Sequence, residues 1–141
     1  MFRVVDVNVV LSALWKKGDS FNVFALNDLL DRFEFIAPEF FLIELEKHKE
    51  EIFKRSKLSK DIFDEVLEMI LDQITIIFEP EFSRFLLKAK ELLSVHLKDV
   101  QYVALALKLE CSIFLGDKIL REILSNSPIK VLSPKEMLAE L

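Results

Sequence analysis

Four acids in this 141-residue chain stand where a carboxylate is either costly or useful: Asp6, Glu44, Asp99 and Asp117. Asp6 sits in VVDVNVV, between Val5 and Val7. A carboxylate buried in such an apolar stretch needs a partner charge or a metal, and no Lys or Arg close in sequence is placed to supply one. Asp117 comes just after SIFL, and Asp99 opens KDVQYVALALKL. Carboxylates crowded into a low dielectric repel unless a cation holds them together. An all-oxygen set without His or Cys favours Mg²⁺ or Mn²⁺ over zinc. Each acid also has a plainer reading. Asp is a favoured N-cap, and negative charge suits a helix N-terminus, which would account for Asp99 and Asp117 singly.

Glu44 belongs to a helix expected from Pro38. At ~100° per residue, Phe40, Phe41, Leu45 and Ile52 share an arc of roughly 140°. Glu44 falls inside this arc with His48 beside it, while Glu46 and Glu50 point away. Glu51, near the edge of the same arc, is the competing acid. A long side chain on such an arc can also snorkel to water.

These acids make sense only on elements that bring them together. Short β-branched or apolar runs at 3–7, 34–37, 74–78, 112–115 and 130–132 read as strands. Helical patterns occupy 8–15, 20–33, 38–55, 59–72, 82–94, 99–110 and 118–125, with a terminal helix opened by Pro134. In the second of these, Phe21, Phe24, Ala25, Leu29 and Phe33 share one side. Pro38 suits a first helical turn, and Ser59 is an expected N-cap. Short apolar strands alternating with helices predict one α/β domain spanning 1–141, with a mostly parallel sheet of four to five strands covered on both faces. In such sheets ligands bind at the carboxyl ends of the strands, where Asp6, Asp99 and Asp117 fall.

Composition narrows the class further. Apolar residues make up 52% of the chain, which argues for a packed core. Cys111 is the single cysteine, so no internal disulfide can form, and it reads as a small core residue. Asp6 and Asn8 interrupt the N-terminal apolar run, so it reads as a buried strand and helix rather than a signal sequence. No run reaches the ~18 apolar residues of a membrane span, and a cytoplasmic location is expected. The net charge of −5 opposes nucleic-acid binding on its face, yet acids can gather in one cleft while bases cluster elsewhere. The segment 47–60 carries six Lys or Arg against two Glu, a solvated helix end or a phosphate-contacting arm. Thirteen Phe in a chain this small suggest an exposed apolar patch and a homodimer.

With these residues in place, the sequence resembles the PIN-domain family, which includes VapC-like toxin ribonucleases. VVDVNVVLSAL at 4–14 matches the family's strand with Asp-x-Asn. APEFFLIELEKH at 37–48 matches a Pro followed by a helix carrying Glu, here Glu44. KDVQYVALALKLECSIFLGDKIL at 98–120 matches Asp, an Ala-rich helix, a strand and a last Asp. The resemblance implies strand order 3-2-1-4-5 and a Mg²⁺- or Mn²⁺-dependent endoribonuclease that hydrolyses RNA phosphodiester bonds to 3′-hydroxyl and 5′-phosphate ends. It assigns Asp6, Glu44, Asp99 and Asp117 as metal ligands and Asn8 as the residue orienting a ligand or the metal-bound water. It also implies a toxin's partners, a second copy and an antitoxin protein.

Two positions depart from the pattern. Leu115 stands where many members have Thr or Ser, and Tyr102 and Val103 stand where a further acid is common, which puts a second metal in doubt. A degenerate member that binds RNA or protein without cutting is the alternative reading. Other α/β chemistries fit worse. A haloacid-dehalogenase site needs a second Asp where Asn8 stands, and a phosphoacceptor receiver needs an Asp after its central strand, where Glu79 follows ITIIF. Phosphate-binding glycine loops and a nucleophile elbow are absent.

Overall fold

A computed structural model describes all residues 1–141. Five strands form the sheet: β1 (Phe2–Val5), β2 (Glu34–Pro38), β3 (Ile74–Ile77), β4 (Ser112–Phe114) and β5 (Val131–Leu132). Every pairing is parallel, and the order is β3-β2-β1-β4-β5. The order is the expected one, and the sheet is parallel throughout rather than mostly so. The helices are α1 (Val7–Trp15), α2 (Asp19–Leu30), α3 (Phe40–Ser56), α4 (Lys60–Leu71), α5 (Leu86–Leu93), α6 (Val100–Leu109), α7 (Lys118–Ile123) and α8 (Pro134–Ala139).

Chirality explains the layers. Right-handed crossovers from β1 outward to β3 carry α1–α4 over one face, and those running the other way carry α5–α7 over the opposite face. The packing follows that division. Helices α1 to α4 pack on one another and α8 on α2, while α6 lies against β1, β2 and β4 with α5 behind it. Val4, Val5, Phe35, Ala37, Ile113 and Phe114 of the sheet are fully buried. The Phe24 ring from α2 meets Phe35 and Phe114 with centroids 5.1 and 5.8 Å away.

Several expected boundaries shift for local reasons. Strand β1 stops at Val5 because Asp6 caps α1: its carboxylate accepts the Asn8 N–H at 3.0 Å. Pro38 closes β2 instead of opening α3. It pairs in register with Ile77, and α3 starts at Phe40. A proline holds the preceding residue extended, so the strand runs through it. Ser83–Phe85 form a short 3₁₀ turn rather than the start of α5, and Leu97–Asp99 do the same before α6. Ser59 caps α4 as expected, accepting from the Ile62 N–H.

Helix α2 ends at Leu30, where Asp31 turns left-handed with φ 50°. The buried Asn27 amide closes the turn: it donates to the Phe33 carbonyl at 3.0 Å and accepts the Phe33 N–H at 2.8 Å. Leu29, still within α2, lies on the side away from the buried Ser20, Val23, Phe24 and Asn27 and stands 81% exposed.

Candidate metal centre and its cleft

The parallel sheet opens at the carboxyl ends of β1 and β4, and three of the four candidate acids are delivered there by their positions in the chain. Asp6 directly follows β1 and is 2% exposed. Burial pushes its carboxyl up to about 7 against the Asn8 N–H that lowers it, with the charge of Asp99 adding to the rise. Asp99, at the end of the turn before α6, is also buried, and burial raises its carboxyl despite the nearby Lys98 and His96. Asp117 caps α7 by accepting the Ile119 N–H at 2.8 Å. The plain cap reading thus holds for Asp6 and Asp117. It does not hold for Asp99, whose side chain caps nothing.

Glu44 arrives from α3. It is half-buried, whereas Glu46, Glu50 and Glu51 point to solvent, so the competitor Glu51 stays outside. The His48 Nε2 lies 3.5 Å from its carboxylate. The charges of Asp6, Glu44 and Asp99 all reach the Tyr102 hydroxyl, and together with burial they hold that phenol well above its ordinary range. Tyr102 rises from α6 and is 2% exposed. Its hydroxyl reaches toward the Val7 backbone without the geometry of a hydrogen bond. Asn8, the next polar residue along α1, is exposed. It lines a cavity of about 340 Å³ with Ser12, Ser20, Leu115 and Asp117.

Two residues at this centre, His96 outside the motifs and Lys98 at the edge of one, have no role read from sequence. His96 brings its Nε2 to 3.3 Å from the Asp99 Oδ2, and donor atoms of His96, Asp99 and Asp117 lie within 4.8 Å of one another. Lys98 Nζ stands 3.8 Å from the Asp117 Oδ2. The spacing of His96 three residues before Asp99 across a helix start was the one clue. Leu115 is buried in the core, and the hydroxyls nearest its place in the cavity come instead from Ser12 and Ser20.

These residues suit a divalent cation. The Asp99 Oδ2 is buried with no hydrogen-bond donor, and the His96 Nε2 is likewise buried and unpartnered, because their close approach is not aligned as a hydrogen bond. A buried carboxylate oxygen left without a donor costs roughly 1–3 kcal/mol or more, and a metal ion removes that cost. Beyond Asp117 the surface changes sign. A cleft of about 540 Å³ is lined by Asp117 and Asp19 together with Lys16, Lys118, Arg121 and Lys135, and by Ser12, Ser20 and Ser133. Arg121 is paired there with Glu136. At the end of α1, Trp15 is half exposed, with Lys16 and Arg55 over its ring at 5.8 and 5.1 Å.

A family model described as the PIN domain matches residues 4–140. No curated protein matches the chain. PIN domains are generally nucleases that use divalent metals, and no helix here is long and apolar enough to cross a membrane. The match covers nearly the whole chain, and the strand order and acidic centre agree with it: this protein belongs to the PIN-domain family.

Proposed function

We propose that the protein is a Mg²⁺- or Mn²⁺-dependent endoribonuclease, with Asp6, Glu44, Asp99 and Asp117 holding the metal. One observation carries this reading: the buried Asp99, with an orphaned oxygen, stands within 4.8 Å of donor atoms of Asp117, and Asp117 lines a cleft that also holds four basic residues. The bound ion would neutralise the scissile phosphate and lower the pKa of a water.

The chain's own residues supply the rest. The Asn8 N–H fixes the Asp6 carboxylate, leaving one of its oxygens to turn inward. Tyr102, buried and close enough to feel the charges of Asp6, Glu44 and Asp99, stays a neutral phenol across the working pH range. Lys98, mostly exposed on a long stem, brings positive charge to the rim. Lys16, Lys118 and Lys135 line the cleft where phosphates flanking the cut would lie. Lysines act there as point charges and give affinity without sequence preference. Trp15 offers a face on which a base can stack.

The test is cleavage of a pooled RNA in Mn²⁺, Mg²⁺ or EDTA. Cleavage in either metal and none in EDTA supports the reading, and intact RNA throughout overturns it. Leu115 in the place of a site hydroxyl favours a second reading, a non-catalytic RNA- or protein-binding domain; RNA retained but uncut in Mn²⁺ would establish that one.

The toxin role is a proposal on the same footing. It predicts growth arrest on expression of the chain and none with an Asp99→Asn variant, and it brings an antitoxin as partner. Exposed Leu29, Leu30, Leu42, Ile43 and Ile62 lie on α2, α3 and α4, helices of one face. A second copy covering them gives a homodimer, which sedimentation at micromolar concentration checks.

A further inference from the structure

We propose that the His96 imidazole is a direct ligand of the site's cation, and that this nitrogen makes the site select Mn²⁺ over Mg²⁺. The proposal rests on the metal-binding reading above and adds to its four acids a fifth, nitrogen donor.

The chain is bent to deliver this ring. Residues Leu93–His96 make a tight turn closed by the His96 N–H donating to the Leu93 carbonyl at 3.0 Å. Ser94 sits in it at φ 56°, ψ −113°, a conformation that suits glycine and costs another residue on the order of 1–3 kcal/mol. The turn reverses the chain after α5, so that His96 precedes Asp99 by a single 3₁₀ turn.

The resulting distances approach those of a coordination shell, the His96–Asp99 spacing matching adjacent ligands and the widest bound lying about half an ångström beyond an opposite pair. Metal–donor bonds of about 2.1–2.2 Å put adjacent ligand atoms about 3 Å apart and opposite ones a little over 4 Å apart. The His96 Nε2 and Asp99 Oδ2 are 3.3 Å apart, and His96, Asp99 and Asp117 offer donors all within 4.8 Å.

Hydrogen bonding points the same way. Asp99 is 7% exposed, and its Oδ2 accepts nothing. The Nε2 facing it is buried and also unpartnered. An imidazolium placed only to balance Asp99 would aim an N–H along that vector, and the alignment is missing. Two buried ligand atoms 3.3 Å apart, neither bonded to the other, are spaced as neighbours on one ion. Asp117 commits one oxygen to the Ile119 N–H, and its Oδ2 meets only the Lys98 ammonium at 3.8 Å. That lysine is largely exposed and can swing away as an ion arrives.

The nitrogen sets the preference. Mg²⁺ is a hard ion that keeps to oxygen donors and waters, while imidazole suits first-row transition ions. Four carboxylates alone discriminate weakly between Mg²⁺ and Mn²⁺. An added imidazole raises the affinity for Mn²⁺ and leaves that for Mg²⁺ almost unchanged.

The test uses pulsed electron paramagnetic resonance of Mn²⁺ bound to the intact protein, which reports nitrogen in the first coordination sphere. The chain has two histidines, and His48 also lies beside a site acid, so each is varied. The expected result is a ¹⁴N coupling of ligated imidazole in the wild type and in His48→Gln, lost in His96→Gln. Calorimetry should show Mn²⁺ affinity of His96→Gln down at least about tenfold, with Mg²⁺ affinity changed less than about threefold. Mn²⁺ bound by the wild type without ¹⁴N coupling, or a coupling that follows His48, overturns the proposal and leaves the metal centre standing. A wild type that binds no Mn²⁺ overturns both.

Discussion

Replacing Asp6 by Asn should separate stability from activity at this centre. The substitution keeps the shape and the acceptor for the Asn8 N–H, since Asn caps a helix about as well as Asp. What it removes is a charge that the fold disfavours. Burial raises the folded carboxyl to about 7 from 3.8. In the metal-free protein the unfolded chain therefore loses its proton near pH 4, while the folded chain keeps it until near pH 7. Between these values the folded state binds more protons, so stability falls as pH rises. A shift of about three units at about 1.4 kcal/mol each gives a penalty of about 4 kcal/mol, complete above pH 7. At pH 4 the same arithmetic leaves about 0.5 kcal/mol.

Asp6→Asn escapes that penalty. Without metal it should unfold later than wild type by about 2–4 kcal/mol at pH 8, or roughly 6–12 °C in Tm. At pH 4 the two proteins should nearly coincide. With saturating Mn²⁺ the order should narrow or reverse, because a bound ion stabilises only the chain that holds it well. The assay is thermal unfolding of both proteins from pH 4 to 8, with EDTA or Mn²⁺. A variant less stable than wild type at pH 8 in EDTA, or a difference independent of pH, would refute the reasoning. Either outcome would mean that Asp6 is a well-solvated cap and no strained charge.

Asp99→Asn should lower RNA cleavage by at least ~10²-fold, comparable to losing a catalytic electrostatic group, with Tm in EDTA unchanged or raised, because no cap bond is broken; parallel cleavage and melting assays check it. Tyr102→Phe removes a buried hydroxyl without a hydrogen-bond partner, so metal-free stability should change by less than about 1 kcal/mol, read by urea unfolding. A loss of several kcal/mol would show that the hydroxyl is bonded after all. Changing both Lys16 and Lys135 to Ala should weaken RNA binding across sequences and flatten its salt dependence by about 0.7 in log–log slope for each phosphate no longer neutralised, measured by fluorescence anisotropy over a salt series with EDTA present.

The sheet was legible because its strands are apolar on both faces and helices separate them. The order 3-2-1-4-5 came from the resemblance, since periodicity orders no strands. Glu44 was separable from Glu46 and Glu50 by helical angle alone, because α3 is regular from Phe40 to Ser56. Irregular backbone was not legible. Ser94 takes a conformation that ordinarily belongs to glycine, so the chain reversal before His96 and the placement of that ring stayed hidden. Pro38 misled for the opposite reason: it suits a first helical turn and the end of a parallel strand equally, and pairing with Ile77 decides between them. Leu29 looked like core because apolar Phe21, Ala25 and Leu29 line up along α2, whereas the face that packs inward is that of Ser20, Val23, Phe24 and the polar Asn27. Asp6 seemed to need a partner because Val5 and Val7 flank it. The Asn8 N–H is a partner that no side-chain inventory reveals.

The charge of −5 is the feature most at odds with the proposed RNA substrate, and the local distribution of charge offers a reason why the sum misleads. At physiological salt the Debye length is about 8 Å, so a phosphate in the cleft responds to its walls and little to the far surface. Those walls carry Lys16, Lys118, Arg121 and Lys135 against Asp19, Asp117 and the Glu136 paired with Arg121, an excess of one positive charge where the bulk sum is negative. Much of the acid lies elsewhere: Glu46, Glu50, Glu51 and Asp64 are exposed on α3 and α4, each within 4 Å of a Lys or Arg of its own helix. The remaining negative charge that matters is at the centre itself, and there it is conditional. With no cation, whichever of Asp6, Asp99 and Asp117 are ionised would repel a phosphate brought beside them. With a divalent ion among them the same surface becomes continuous with the basic cleft. On the proposed reading metal and RNA would therefore share one electrostatic site, and the ion would have to be in place before a phosphate could sit beside these acids.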